Sequence, residues 1–262
     1  MARALGQAGA QTRARTGGRF LPHKVRRHFL PLDTVSGVSG RRRASQSCAD
    51  RAGVFVVVGA GYATRGDPTM KLYFSPGACS LASHIALIES GADFEATKVD
   101  LSKHETEHGE DFYAISPRGY VPAIVTDEFG LLTENSAVLP YLASATGTLP
   151  GGEAHFRLHE WIGFIGTEIH GAYGPLFGGA DGDAKAKAKQ TVAEKYQLAE
   201  TLLDGRDWLV AEGPTVADNY LFVTLLWADK FGIDVPQSLQ AFRDRNSQRD
   251  SVQQAMKAEG LS

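Results

Sequence analysis

Cysteine is scarce in this chain, with only Cys48 and Cys79 among 262 residues. Two cysteines exclude the disulfide framework of a small secreted protein, and we expect a reducing, cytoplasmic location instead. The chain also lacks an apolar run of about eighteen residues, which argues against a transmembrane helix. Its formal net charge of −3 is too small to indicate nucleic-acid binding by itself.

The net charge hides an uneven distribution. Residues 1–69 contain eleven arginines and one lysine against three aspartates, so the remainder of the chain is acidic. Apolar residues are few and without sustained period over most of this segment, and we predict a basic, mostly disordered extension. A transit peptide and a basic arm for nucleic acid are open interpretations. We favour an upstream, mis-assigned start, because Met70 directly precedes the first well-formed strand.

Residues 54–61, VFVVVGAG, contain an apolar run followed by G-x-G, which begins a dinucleotide-binding fingerprint. The third glycine of that fingerprint would fall at Thr64, and Pro68 interrupts the helix that should follow. We therefore expect a short strand or no regular element here.

From Met70 onward the apolar pattern becomes regular. Short apolar runs at residues 71–74 and 94–99 flank a helical pattern at residues 80–90, which ends at Gly91. This order predicts a βαβ unit with parallel strands. A polar loop, a short helix, a hairpin and a helix are then predicted at residues 100–109, 111–115, 121–133 and 135–146. The βαβ–ββα order predicts a thioredoxin-like α/β domain whose mixed sheet has four strands and helices on both faces.

Strand signals end after the Gly/Pro-rich segment 148–153. Helical spacing follows at residues 153–173, 184–203, 216–231, 239–245 and 251–259. Trp161, Ile165 and Ile169 lie one turn apart and predict a buried stripe. Thr215 and Asp218 form a capping-box variant that should start a buried helix. We thus predict an extension at 1–69, an α/β domain at 70–147, a linker at 148–153 and an all-α domain at 154–262.

Cys79 follows the breaker cluster Ser-Pro-Gly at the start of the first predicted helix. The unpaired N–H groups and positive dipole at a helix start favour the thiolate, which predicts a lowered pKa and a reactive thiol. The alternative interpretation is a small buried hydrophobe. A C-x-x-C motif would place its second cysteine at Ala82, so the chain carries a one-thiol variant.

Four stretches carry a family resemblance: residues 71–81, 112–123, 132–137 and 161–170. Taken in this order, they resemble the cytosolic glutathione transferases, specifically the bacterial beta class that uses cysteine. The resemblance covers about residues 70–262 and leaves residues 1–69 outside. It implies a thioredoxin-like glutathione-binding domain followed by an all-helical domain.

The resemblance also implies roles for individual residues. Cys79 faces the glutathione sulfur and forms a mixed disulfide with it, while His170 reaches the thiol from the helical domain. Val121, before a cis Pro122, pairs its backbone with the cysteinyl residue of the peptide. Glu134 and Asn135 bind the γ-glutamyl amine and carboxylate, and the helix that begins near Asn135 offers unpaired N–H donors to the carboxylate. The expected binding residues are, in full, Ser80, His104, Tyr120, Val121, Pro122, Glu134, Asn135 and Ser136.

The chain departs from the family pattern at four positions. His104 lies where a lysine near the glycyl carboxylate is usual, which makes a fixed charge pH-dependent. Gly163 and Gly171 replace asparagine and lysine, and Asn135 replaces glycine or serine. We expect these changes to alter glutathione affinity or the second substrate, and to leave the fold intact.

Other constellations suggest different chemistry. Residues 104–108 read H-E-x-x-H, as in zinc proteases, but they lack an apolar stripe and a third ligand. We expect a solvated loop and no bound metal. His155 and His159 are one turn apart and predict a polar helix face. Tyr73 and Ser80 are rival hydroxyl activators of a thiol.

The predicted function is transfer of the glutathione thiolate to electrophilic small molecules, a detoxification reaction, with glutathione as co-substrate and no metal. Thiol transfer and peroxide reduction through Cys79 are equally consistent with a cysteine at this position. We expect a cytoplasmic homodimer without nucleic-acid or membrane partners. The alternative is a non-catalytic binding module of the same fold.

Overall fold

The computed structural model describes residues 70–261. The predicted disordered extension at 1–69, the partial dinucleotide fingerprint and Cys48 lie outside the described residues. Within residues 70–261, no helix combines the length and the apolar character that crossing a membrane requires.

The described chain begins with the predicted βαβ unit. Strand β1 (Met70–Phe74) and strand β2 (Phe94–Asp100) are parallel, with Met70 opposite Phe94, and helix α1 (Leu81–Ser90) connects them. The helix ends at Gly91, which adopts the left-handed conformation at φ 63° and donates its N–H to the Ile88 carbonyl. Glycine reaches this conformation without a steric penalty, so the predicted helix end is confirmed.

Within residues 70–261 the sheet has five strands, whereas the sequence predicted four. The further elements are β3 (Glu105–Thr106), α2 (Phe112–Ile115), β4 (Ala123–Thr126), β5 (Gly130–Thr133) and α3 (Asn135–Ala145). The strand order is β3-β2-β1-β4-β5, and β4 runs antiparallel to both β1 and β5. Strand β3 lies inside the predicted polar loop, where it pairs antiparallel with the end of β2. Two residues are too short to show a period-2 pattern, so only the pairing reveals this strand.

The second half of the described chain is helical, as predicted. Its elements are α4 (Gly152–Phe164), a π-helical segment (Ile165–His170), α5 (Gly174–Phe177), α6 (Gly182–Leu203), α7 (Val216–Phe231), α8 (Gln237–Ser247) and α9 (Asp250–Ala258). The helical stretch predicted at 153–173 is confirmed, since residues 152–172 are helical, but the π-helical segment within it was not predicted. The hydrogen-bonding pattern widens at Ile165, and the Thr167 hydroxyl donates to the Gly163 carbonyl at 2.9 Å. Such π-helical turns are frequent at functional sites.

Helix α7 is the centre of the helical core. The Asp218 carboxylate accepts the Thr215 N–H at 2.7 Å and the Leu209 N–H at 2.9 Å, which confirms the capping box. Burial raises the pKa of Asp218 to about 6, although these donors act in the opposite direction. The predicted stripe of Trp161, Ile165 and Ile169 is also buried.

The end of the helical half is tied to the turn between β1 and α1. The Gly77 N–H donates to Glu259 Oε2 at 2.9 Å, and Glu259 Oε1 lies 2.9 Å from His84 Nδ1. Trp227 Nε1 donates to the Gly77 carbonyl at 2.8 Å. Because Gly77 lies two residues before Cys79, helices α7 and α9 both position the turn that presents the thiol.

Candidate active site

A cavity of about 710 Å³ lies beside Cys79. Its sheet-side wall consists of Ala78, Cys79, Leu101, Arg118, Tyr120, Val121, Pro122, Thr133, Glu134, Asn135 and Ser136. Its helix-side wall consists of Ile162, Gly163, Gly166, Thr167, His170, Gly171, Phe177, Tyr220 and Trp227. The cavity therefore brings together eight of the ten predicted site residues, and it leaves out Ser80 and His104.

Cys79 lies just before helix α1, as predicted, yet its thiol is not activated in this structure. The Sγ atom donates a hydrogen bond to the Val121 carbonyl at 3.2 Å. Burial raises the pKa of the Cys79 thiol to about 12, and the negative charge of Glu134 adds to this effect. The N–H groups of Cys79 and Ser80 lower the pKa, as the sequence predicted, but desolvation outweighs them. The predicted direction of the shift is wrong for the unliganded protein.

Ser80 was expected to contact glutathione, but the structure places its side chain inside the turn. The Ser80 hydroxyl accepts the Ser75 N–H at 3.2 Å, and the residue is fully buried. The rival activator Tyr73 is buried as well, with its ring centroid 5.7 Å from that of Phe112. Neither hydroxyl belongs to the residues that line the cavity.

His104 was expected beside the glycyl carboxylate, but it does not line the cavity. It adopts a left-handed backbone at φ 52°, and its ring lies 4.3 Å from the Tyr113 ring, between centroids. Its buried Nδ1 atom has no hydrogen-bond partner in the described part of the chain. Gly119 makes this packing possible, because a Cβ there would lie 2.6 Å from the Tyr113 ring and 3.0 Å from His104 Nδ1.

The segment before β4 and the turn before α3 form the polar part of the sheet-side wall. The Val121–Pro122 peptide bond is cis, as the resemblance implies. Glu134 adopts a left-handed backbone at φ 72°, and its Oε1 accepts a hydrogen bond from Arg118 Nη1 at 2.7 Å. Tyr120 is 69% exposed at the cavity mouth. Sequence reasoning missed Arg118, although it lies inside one of the quoted motifs.

Asn135 begins helix α3, and its side chain is turned towards Cys79. Its Nδ2 donates to the Cys79 carbonyl at 3.0 Å, and its Oδ1 accepts the Ser83 hydroxyl at 3.0 Å. The sequence predicted a ligand-binding residue here, whereas the side chain instead holds the backbone of the cysteine. At the start of α3, the N–H groups of Asn135 and Ser136 have no hydrogen-bond partner within the helix.

His170 ends the π-helical segment on the helix-side wall. Its Nδ1 lies 2.8 Å from the Tyr220 hydroxyl, and its ring contacts Trp227. Burial lowers the pKa of His170, opposed by the charge of Glu134, so the imidazole is neutral at pH 7. Burial raises the pKa of Tyr220, so its hydroxyl stays protonated. The sequence analysis predicted a buried helix at 216–231 without singling out Tyr220 or Trp227, because helical spacing does not reveal which core residues border a cavity.

The other residue groups singled out in the sequence do not line this cavity. Glu105 of the H-E-x-x-H sequence lies in strand β3, and His104 packs on Tyr113. Within residues 70–261 no group of three or more His, Cys, Asp or Glu side chains is arranged to hold a metal ion. His155 and His159 pack against each other on α4 with centroids 4.7 Å apart and do not line the cavity.

Family models match both halves of the described chain. Residues 68–144 match the "Glutathione S-transferase, N-terminal domain", and residues 164–250 match the "Glutathione S-transferase, C-terminal domain". Glutathione S-transferase GstA of Escherichia coli O157:H7 is 38% identical over 200 residues, which cover 73% of this chain and all of that protein.

Solved structures show the same similarity. A sphingomonad glutathione S-transferase complexed with glutathione is 46% identical at a TM-score of 0.69, covering 73% of this chain and 100% of that one. The bacterial beta-class glutathione S-transferase of Sphingomonas chungbukensis is 43% identical at a TM-score of 0.68, covering the same shares. These likenesses extend over both walls of the cavity.

Proposed function

The chain belongs to the glutathione S-transferase family and groups with its bacterial beta class, and we propose that the cavity beside Cys79 is its active site. The chain is a glutathione transferase: it binds glutathione as co-substrate and transfers the thiolate to electrophilic small molecules. The observation that carries the proposed site is the convergence of Cys79, Val121, Glu134 and His170 on one cavity.

Glutathione binds along the sheet-side wall. Its cysteinyl backbone pairs with that of Val121 in the manner of an added strand. Glu134 accepts the γ-glutamyl amine, and the N–H groups at the start of α3 donate to the γ-glutamyl carboxylate. Ser136 and Tyr120 border this path, while Pro122 shapes the turn beneath it.

Glutathione binding changes the state of Cys79. The Val121 carbonyl accepts the Cys79 thiol in the unliganded protein. When the glutathione backbone takes that carbonyl, the Cys79 thiol loses its acceptor and becomes free to react. Exchange with glutathione disulfide then forms a Cys79–glutathione disulfide and releases one glutathione, while the Cys79 proton passes to the departing thiolate.

Conjugation uses the sulfur of glutathione itself. The N–H groups of Cys79 and Ser80 stabilise the glutathione thiolate, and neutral His170 donates to it from Nε2 while Nδ1 accepts the Tyr220 hydroxyl. The thiolate attacks an electrophile on the helix-side wall, a carbon–sulfur bond forms, and the leaving group departs with its electron pair. The electrophile rests against Ile162, Phe177 and Trp227.

The test is retention of the full chain on glutathione–agarose, followed by assays with electrophiles, disulfides and peroxides. We expect elution by free glutathione and turnover in at least one assay. Retention without turnover across all three classes would instead support the non-catalytic module, which the relatives do not favour. Failure to bind would contradict the proposed site.

Homodimer formation is part of the proposal, because relatives of this family suggest it and large apolar side chains are exposed near α3 and α4. Phe129 is 59% exposed and Phe156 is 72% exposed. Burial in a partner subunit would remove this apolar surface from water. Light scattering after size-exclusion chromatography tests this, with a monomer mass as the contrary result.

The cytoplasmic location and the division at 70–147, 148–153 and 154–262 also remain proposals.

A further inference from the structure

Glutathione carries two carboxylates and one ammonium group, so its site needs a positive partner. The resemblance assigns this task to His104, but His104 does not line the cavity. Among the described residues that line the cavity, Arg118 carries the one fixed positive charge and Glu134 the one negative charge. The charges available to recognise glutathione are therefore this pair and the helix start beside it.

The two charges already contact each other. Arg118 Nη1 donates to Glu134 Oε1 at 2.7 Å, and the two side chains are 62% and 54% exposed. An exposed ion pair contributes little to the stability of a fold, so it opens easily for a ligand. The guanidinium has five N–H donors and the carboxylate has several acceptor positions, and one contact leaves most of them available.

We propose that Arg118 and Glu134 act together as a receptor for the zwitterionic α-amino acid group of a γ-glutamyl ligand. This inference rests on the proposed function and adds a binding residue to it. Glu134 accepts the α-ammonium group, while Arg118 donates to the α-carboxylate together with the N–H groups at the start of α3. The charges of Glu134, Arg118 and the two ligand groups alternate in sign. Because the bound zwitterion carries one positive and one negative charge, binding leaves the local net charge unchanged.

The position of Arg118 decides which carboxylate it binds. Its contact with Glu134 places it at the γ-glutamyl end of the site, next to helix α3. The glycyl end lies beyond the cysteinyl residue that pairs with Val121. Arg118 therefore recognises the α-carboxylate and not the glycyl carboxylate.

The test is calorimetric titration of the full chain with glutathione and with γ-glutamylcysteine, which lacks the glycyl residue. Arg118→Gln should weaken both ligands by the same factor, about tenfold to a hundredfold. Arg118→Lys should recover part of this loss, because a lysine keeps the charge without the fork of donors. Arg243→Gln is the control, because Arg243 pairs with Asp229 outside the cavity and its loss should leave both affinities unchanged.

Two further measurements make the proposal falsifiable. N-acetylglutathione lacks the ammonium group, so its affinity should depend on Arg118 but not on Glu134, as tested with Glu134→Gln. Loss of glutathione affinity with unchanged γ-glutamylcysteine affinity in Arg118→Gln would assign Arg118 to the glycyl carboxylate and overturn the proposal. Equal affinities in Arg118→Gln and wild type would also overturn it while leaving the proposed function intact. Absence of glutathione binding by the wild type would overturn both.

Discussion

The two walls of the cavity recognise their ligands by different means. The sheet-side wall offers backbone groups at Val121 and at the start of α3, together with the charges of Arg118 and Glu134. The helix-side wall offers aromatic rings and three glycines, and it contains no fixed charge among the described residues that line the cavity. The first wall suits one defined polar peptide, whereas the second suits apolar molecules of varied shape. Selectivity for glutathione and tolerance of varied electrophiles are thus provided by opposite walls of the cavity, on either side of the Cys79 sulfur.

The strongest test of this comparison removes the thiol from the sheet-side wall. In a Cys48→Ser background, Cys79→Ala should abolish the mixed disulfide, because Cys48 and Cys79 are the two cysteines of the sequence. Intact mass after incubation with glutathione disulfide measures the adduct, and calorimetry should show that glutathione still binds. An adduct that persists in the variant would remove Cys79 from its proposed role.

The next test concerns Asn135, which holds the Cys79 backbone in place. Asn135→Ala leaves the Cys79 carbonyl and the Ser83 hydroxyl without their amide partner. The Cys79 carbonyl keeps the Ala82 N–H at 3.3 Å, but the buried Ser83 hydroxyl is left unpaired. This costs about 1–3 kcal/mol, so the free energy of unfolding in urea should fall by this amount. Asn135→Ser is the matched comparison, because a hydroxyl keeps some polarity without reaching both partners. Unchanged stability in the alanine variant would show that the amide is not a structural link.

A third test narrows the helix-side wall only. A Cβ at Gly163 would meet nothing within 4 Å and Gly163 lines the cavity, so we expect the side chain of Gly163→Leu to narrow the cavity from this wall. We expect turnover of a bulky aromatic electrophile to fall about tenfold, which corresponds to about 1.4 kcal/mol, with an unchanged glutathione Kd. Gly213→Ala, outside the cavity, is the control. A parallel loss of glutathione affinity would contradict the separation of the two walls.

The smallest expected effect is on pH dependence. The pKa of His170 is depressed below its ordinary value of 6.5, so the folded state binds this proton less readily than the unfolded chain. Its contribution to stability is present above about pH 6.5 and is lost as the pH falls through the depressed pKa. We expect less than about 1 kcal/mol between about pH 7.5 and pH 5.5.

This effect is measured as the difference between wild type and His170→Gln in urea unfolding at both pH values. The subtraction is needed because Asp218, whose pKa is raised to about 6, acts in the opposite sense as the pH falls. A stability difference that does not change with pH would show that His170 titrates normally.

Sequence reasoning succeeded where local pattern carries the information. Helix α7 was predicted at residues 216–231, with the bounds that the structure has, because its cap and apolar spacing are local signals. The βαβ order and the cysteine at the helix start followed from the same kind of signal. The resemblance of the motifs to the family predicted Val121, Glu134 and His170 as site residues, and all three line the cavity.

The remaining features depend on contacts between distant segments. Strand β3 exists only through its pairing with β2, and His104 leaves the cavity because it packs on Tyr113. The pKa of Cys79 was predicted in the wrong direction, because burial in the folded chain outweighs the lowering effect of the Cys79 and Ser80 N–H groups. The contact between Arg118 and Glu134 likewise joins residues sixteen positions apart.

The contact between Gly77 and Glu259 spans 182 positions of the chain. During synthesis, the turn that presents Cys79 leaves the ribosome well before Glu259, and it gains this hydrogen bond only after the 182 positions that separate Gly77 from Glu259 have been added. Partly synthesised chains therefore carry Cys79 on a turn that lacks this hydrogen bond. A change at Glu259, directly after α9, would therefore act on the turn that presents Cys79, although it lies far from the thiol along the chain.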